Sequence, residues 1–212
     1  MKAILLDTHG SADSFKCKEI SEPKILPKHV ILKVSASGVN PVDCKIRSGL
    51  LADIGPDLPG ILHGDVAGVV TEVGEGVIDF KVGDEVFGCI GGFKGISGVL
   101  AEYVLADARL LALKPASLPM EEAAVLPLVA ITGWNALMDR GKISKGEKVL
   151  IHAGTGGVGH IGIQLAKAMG AEVHTTISSL QKAELASRLG ADQVINYSCL
   201  LYTSPSPRDT NE

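Results

Sequence analysis

Residues 148–162, KVLIHAGTGGVGHIG, decide the fold. A short run of strand-forming residues passes into a cluster of glycines, and the glycines pass into a segment with helical spacing that closes at Gly170. Gly154, Gly156 and Gly159 satisfy the GxGxxG spacing. Alone that pattern is weak, but between a strand and a helix each glycine has a mechanical task. The first permits the tight turn, the second lets the backbone approach a pyrophosphate, and the third lets the helix pack closely on the strand. The N–H groups that open the helix then face the phosphates. The spacing predicts a dinucleotide site built by Gly154, Gly156, Gly157, Val158 and Gly159.

Working outward, AEVHTTIS reads as a second strand, LQKAELASRLG as a second helix and DQVIN as a third strand, with KVLIHAG as a buried first strand. Strand and helix alternate, as in a parallel α/β sheet. A site specific for NAD places Asp or Glu at the end of the second strand to grip the ribose hydroxyls. Here the strand runs into TTISSLQK: Ser178 and Ser179 offer hydroxyls, and Lys182 offers a cation to a 2′-phosphate. This favours NADPH over NADH; the competing reading is a solvated helix start with Ser179 as its N-cap.

The N-terminal half follows different rules. Short apolar runs broken by Gly and Pro, among them AILLD, VILKVSASGV, GDVAGVVTEVG and GDEVFG, predict a mainly β, barrel-like domain. Between Pro115 and Lys142 the spacing turns helical, with Ser117 as a candidate N-cap and Glu121 and Glu122 in the first turn. The expected organisation is a β domain over 1–115, a helical bridge over 116–145, an incomplete dinucleotide-binding domain over 146–198 and a tail over 199–212. Hydrophobic residues make up 46% of the 212, enough for real cores. The net charge of −4 carries no basic run, which argues against nucleic acid or an anionic membrane surface as partner and for a small molecule. With no apolar run of spanning length, the protein is expected to be cytoplasmic. Cys17, Cys44, Cys89 and Cys199 form no CxxC pair and read as ordinary thiols.

Six ordered blocks, GVNPVDCKIRSG, GDVAGVVTEVGEGV, FKVGDEVFG, EEAAVLPLVAITGW, VLIHAGTGGVG and LGADQVINY, together resemble the medium-chain dehydrogenase/reductase superfamily, and within it the zinc-free quinone oxidoreductase and enone reductase branch. The resemblance runs from Met1 to about Tyr197. It implies an α/β protein with a GroES-like catalytic domain followed by a Rossmann domain, NADPH as cofactor, a quinone or enone as substrate and a homodimeric parent enzyme. The zinc alcohol dehydrogenases carry a catalytic cysteine after a Gly-Val pair, where this sequence has Asn40, and their GHE histidine falls on Gly64, leaving His63 one position away. No metal is therefore expected.

The same resemblance assigns the site. Asn40 is implied to contact substrate or nicotinamide, and Lys45 to hydrogen-bond the substrate oxygen, with Asp43 able to hold Lys45. Quinone oxidoreductases commonly place a tyrosine at the Lys45 position, so the proton donor stays open. Thr132 is implied to approach the nicotinamide and Tyr197 the adenosine phosphate, while Trp134 is expected to pack in a core. The reaction expected is hydride transfer from NADPH to a quinone or to the β-carbon of an α,β-unsaturated carbonyl, with Lys45 and Asn40 stabilising charge on the acceptor oxygen. The alternatives are a zinc-type alcohol dehydrogenase and a non-catalytic NADPH-binding protein.

A full dinucleotide fold needs two βαβαβ halves, and only three strands are supplied. The chain therefore reads as a C-terminally truncated fragment without its dimer edge, expected to fold poorly and to be inactive. CLLYTSPSPRD, from Cys199 to Asp209, can be back-translated into a string that resembles a transposon-end sequencing adapter, so the tail is expected to be non-native.

Overall fold

The structure, a computed structural model, describes residues 1–93 and 95–200, the last two by their backbone alone. Two compact units result, Met1–Leu128 and Val129–Glu212. Of the tail expected from Cys199, residues 201–212 lie outside the described residues.

The first unit is antiparallel β structure. Strands β1 (Lys2–Leu6), β2 (Phe15–Glu19) and β4 (Gly60–Ile61) form a small sheet in the order β2-β1-β4. Strands β3 (His29–Ser37), β5 (Asp65–Val73), β6 (Glu85–Cys89), β7 (Tyr103–Asp107) and β8 (Leu111–Leu113) form a larger one in the order β7-β3-β5-β6-β8. The β-branched runs seen in the sequence account for its core: Val30, Leu32, Val66, Val70, Val86, Val99 and Val104 pack together, nearly all with no exposed surface. Each such side chain contributes about 1.5–3 kcal/mol by leaving water. Helix α1 (Pro41–Arg47) follows β3, with Pro41 at its first position where a missing N–H costs nothing. Ile46 anchors it against Leu6 and Leu62.

The bridge is helical, though not from the expected residue. Helix α2 (Met120–Ala123) has Pro119 at its N-cap, not Ser117. Residues 116–118 instead form a turn closed by the Leu118 N–H to the Pro115 carbonyl at 3.1 Å, with Leu118 packed against the Ala67, Ala123 and Ala124 cluster, and the helix starts only after Pro119. Glu121 and Glu122 do occupy the first turn. A second helix, α3 (Pro127–Trp134), begins at a proline that α2 could not have continued through, and a π-helical turn over Asn135–Arg140 follows it.

The second unit is a three-stranded parallel sheet with the order β11-β10-β9, made by β9 (Lys148–Ile151), β10 (Glu172–Ile177) and β11 (Gln193–Asn196). Helix α4 (Gly157–Ala168) joins β9 to β10, α5 (Leu180–Arg188) joins β10 to β11, and a last turn, α6, spans Tyr197–Leu200. Ile163, Ala166, Val173, Ile177 and Ala186 form the core between sheet and helices. Two expectations need correction here. The strand KVLI is not buried: it is an edge of the described sheet, and Leu150 is 52% exposed. Trp134 does not pack in a core either, being 52% exposed. Its neighbour Gly133 faces Leu165 and Gly162 of α4, and one residue further lies about 100° round the helix, pointing outward.

Among the described residues no helix is long and apolar enough to cross a membrane.

The turn from β9 to α4 is the tightest contact of the second unit. A Cβ on Gly154 would overlap Thr175 Oγ1 and approach Ile163 Cδ1 to 2.8 Å, and one on Gly159 would overlap the Ala153 carbonyl oxygen. A Cβ on Gly156 would meet nothing nearer than the Ala153 carbonyl oxygen at 3.1 Å. Gly159→Ala is therefore expected to cost about 1–3 kcal/mol of stability, while Gly156→Ala leaves thermal unfolding, followed by circular dichroism, nearly unchanged. Equal losses in the two variants contradict this assignment.

Candidate functional site

In the second unit, the glycines divide by exposure. Gly154 and Gly159 are buried where strand and helix touch; Gly156, Gly157 and Val158 are exposed at the mouth of α4. Gly156 is the N-cap with extended backbone and supplies no side-chain cap, so the first-turn N–H groups of α4 have no acceptor from their own helix. That is an arrangement ready for an anion. The turn is fixed from below by two threonines that sequence reasoning passed over. Thr175, fully buried, donates to the Ile151 carbonyl at 2.6 Å; Thr176 Oγ1 accepts from Ala153 N–H at 3.0 Å, and its carbonyl accepts from Gly154 N–H at 3.1 Å. These bonds hold Ala153 in the left-handed region, at φ 53°, a conformation a non-glycine residue adopts only when its surroundings enforce it. The pair TT in VHTTIS was visible in the sequence, but only the sheet register sets Thr175 beside Ile151.

At the end of β10, Lys182 Nζ donates to Ser178 Oγ at 3.0 Å, and Ser179 caps α5 by accepting from Lys182 N–H. Both readings of this segment thus occur in one geometry: Ser179 is a cap, and Lys182 is a surface cation next to a hydroxyl. Tyr197, 41% exposed, opens the turn after β11. The adjoining Ser198 hydroxyl donates to the Ser178 carbonyl at 3.3 Å, so the ends of β10 and β11 meet. Thr132 lies exposed on α3. A dinucleotide fits these features, because the exposed helix mouth would receive its phosphates and Ser178 with Lys182 would face its ribose end.

In the first unit, Asn40 caps α1 and Lys45 lies within it, and the two have opposite surroundings. Lys45 is exposed, and its ammonium has no polar partner among the described residues. Asn40, the N-cap of α1, is buried. Its main-chain N–H donates to Asp43 Oδ2 at 2.7 Å and its side-chain Nδ2 donates to Asp65 Oδ2 at 2.8 Å. Asp43 therefore does not hold Lys45; its carboxylate is spent on the helix cap, which points it to the other side of α1.

Asp65 had no role in the sequence reading, yet it has no exposed surface and joins several segments. Besides Asn40 it accepts the Leu128 N–H at 3.0 Å, and its main-chain carbonyl accepts Gly38 N–H at 2.9 Å. Cys89 stands directly across the β5–β6 ladder from it. The signal that could have found Asp65 is an acid at the head of an otherwise apolar run, DVAGVV. Burial raises the Asp65 pKa against the donors Asn40, Cys89 and Leu128, which favour the charged form. Burial likewise raises Asp43 and lowers His63, each opposing charge partly offsetting the effect on the other. His63 sits at φ 67° with its ring edge-on to Phe15 at 6.3 Å, and its Nδ1 is buried without a partner.

These groups share one region without converging. Among the described residues, no three His, Cys, Asp or Glu side chains lie close enough to hold a metal ion. The donor set does not fit a catalytic zinc, which needs three placed ligands and an open position. Burial and the Asp65 charge push the Cys89 thiol up to about 12. At pH 8 about one such thiol in ten thousand is ionised, so Cys89 is expected to resist iodoacetamide in the native protein while the exposed Cys17 and Cys44 are alkylated, as read by peptide mass mapping. Rapid native labelling of Cys89 contradicts the placement beside Asp65.

The alcohol dehydrogenase GroES-like domain matches residues 26–116, and the zinc-binding dehydrogenase family matches residues 157–204. The 2-methylene-furan-3-one reductase of Solanum lycopersicum is 41% identical over 204 residues, covering 93% of this chain and 52% of that protein. Among solved structures, an alcohol dehydrogenase superfamily protein from Novosphingobium aromaticivorans is similar with a TM-score of 0.88 at 43% identity, over 93% of this chain and 59% of that one. Escherichia coli quinone oxidoreductase complexed with NADPH is similar with a TM-score of 0.78 at 33% identity, again over 93% and 59%. The chain spans about half the length of the curated relatives it matches. Both domain families occur in order, and the likenesses extend over nine-tenths of the sequence: the chain belongs to the medium-chain dehydrogenase/reductase superfamily.

Proposed function

We propose that the enzyme to which this chain belongs transfers hydride from NADPH to a quinone or an α,β-unsaturated carbonyl without a catalytic metal. The observation that carries this reading is the pairing of an exposed, uncapped helix mouth at Gly156, Gly157 and Val158 with Ser178 and Lys182 at the end of the next strand. The first suits a pyrophosphate, and the second a 2′-phosphate in place of the ribose-gripping acid of NAD sites. The names of the relatives, one a reductase of an enone and one a quinone oxidoreductase solved with NADPH, support the same substrate class.

NADPH, when bound, supplies the hydride; this chain's residues bind and orient. Gly154 and Gly159 set the turn, Gly156, Gly157 and Val158 present N–H groups, and Ser178, Ser179, Lys182 and Tyr197 lie toward the adenosine end. Thr132 lies toward the nicotinamide. As the substrate accepts hydride its oxygen gains negative charge, and Lys45, an ammonium with no polar partner among the described residues, is the group to stabilise it. Asn40 contacts nicotinamide or substrate. The division into a catalytic domain over 1–115, a bridge to 145 and a cofactor domain from 146 belongs to this reading, as do a cytoplasmic location and a homodimeric enzyme.

Two measurements on the intact enzyme test it. NADPH oxidation is expected with quinones and enones and no reduction of NADP+ with simple alcohols, and Lys45→Ala is expected to lower turnover by about 10²-fold or more while NADPH binding stays unchanged. Unchanged kcat/KM removes Lys45 from the mechanism. Lys182→Ala is expected to raise the NADPH dissociation constant about tenfold, the loss of one phosphate contact worth about 1.4 kcal/mol, and to leave NADH binding unaltered. Tighter binding of NADH than NADPH to the unaltered enzyme overturns the cofactor assignment.

A further inference from the structure

We propose that His160 is a proton-linked ligand of the dinucleotide: its imidazole takes up a proton as the pyrophosphate reaches the mouth of α4 and donates to it from Nε2. This rests on the proposal that the α4 mouth receives that pyrophosphate.

His160 stands four residues after the N-cap, and side chains on a helix lean toward its N-terminus, so the ring overhangs the first turn. It is held there. Its Nδ1 lies 3.0 Å from the Gly156 carbonyl oxygen, which also accepts the His160 main-chain N–H at 3.0 Å. A carbonyl only accepts, so Nδ1 carries the proton, and Nε2 is left as a lone pair with no partner among the described residues. The ring is half-buried, and the His160 carbonyl is tied in turn to Gln164 Nε2 at 3.0 Å.

Such a ring suits an anion only after protonation. A lone pair repels a phosphate oxygen, whereas a positively charged Nε2–H gives it a charge-assisted hydrogen bond. Before the anion arrives, the positive end of the α4 dipole opposes a further cation there; a bound anion removes that opposition. No carboxylate is placed to do so instead. Residues 129–134 of α3, which lie beside the start of α4, contain no ionisable group. The π-helical turn brings Asp139 and Arg140, but beyond Leu137, which packs at Gly162. The end of β9 brings His152, whose Nδ1 is 3.3 Å from Thr176 Oγ1, and α5 brings Lys182, bonded to Ser178, and the exposed Glu184. Glu172 and His174 pair with each other where β10 starts, at the opposite end of the sheet from the mouth, and Lys167 in the last turn of α4 pairs with Asp192. Among the described residues none of these acids is bonded to His160. Dinucleotide binding therefore consumes protons, and affinity rises as pH falls.

Calorimetric titration of the intact enzyme with NADH and with NADPH near neutral pH, in Hepes and in Tris, tests this, because the two buffers differ in ionisation heat and so count the protons taken up. NADH is the decisive probe, since it lacks the 2′-phosphate, and a phosphate monoester itself titrates at about pH 6. The unaltered enzyme is expected to take up a fraction of a proton with NADH and to bind it about fivefold more tightly at about pH 6 than at about pH 8. His160→Gln is expected to abolish the uptake and to reduce the pH effect to less than about twofold, and His152→Gln to keep both. NADH binding without proton uptake by the unaltered enzyme overturns the proposal, and so does an uptake that survives in His160→Gln or disappears in His152→Gln. Failure of both cofactors to bind overturns the function proposed above and this role with it, whereas binding without the linkage overturns the role of His160 alone.

Discussion

One carboxylate without exposed surface, Asp65, constrains the first unit more than any other side chain. Removing a charge from water costs several kcal/mol unless donors replace the water, and here the donors come from segments far apart in sequence: Asn40 at the start of α1 and Leu128 in the first turn of α3, with Cys89 opposite on β6. Each must be in place for the others to be affordable. The end of β3, the cap of α1, the head of β5 and the entry to α3 are positioned together as a result. The same constraint explains why the Cys89 thiol is pushed up to about 12 and why Asn40 is held at both its main chain and its side chain.

The second unit depends on close approach instead of charge. Two glycines let α4 sit against β9 and β10, and two threonines on β10 tie the intervening turn to its neighbours, holding Ala153 in a left-handed conformation. The exposed mouth of α4 follows from that packing: once Gly154 and Gly159 are committed to the interior, Gly156, Gly157 and Val158 are the residues left facing out. The phosphate site proposed there would need no side chain of its own, which is why its signal in the sequence is glycine spacing.

Much of the fold was legible from local patterns. The β-branched runs of the first half became strands, and the alternation after residue 148 became a parallel sheet, because period and turn residues are properties of neighbouring positions. The misreadings share one cause. KVLI looked buried, Trp134 looked like a core residue and Ser117 looked like a cap; their fates were set by which strand lies beside β9, which way α3 turns against α4, and where Leu118 packs. None of these is encoded within a window of ten residues.

The sequence by itself determined the class of the protein, the order of its halves and the phosphate turn, since GxGxxG at a strand-to-helix junction has one mechanical solution. It also supplied the chemistry near that turn, in Ser178, Ser179 and Lys182. Only the tertiary structure decided the placements within NPVDCK: that Asp43 serves the helix cap and not Lys45, that the Lys45 ammonium has no polar partner among the described residues, and that Asn40 answers to an acid twenty-five residues away. The physical reason is that a hydrogen bond between buried groups is a property of two distant segments brought together by the core, and no spacing along the chain records it.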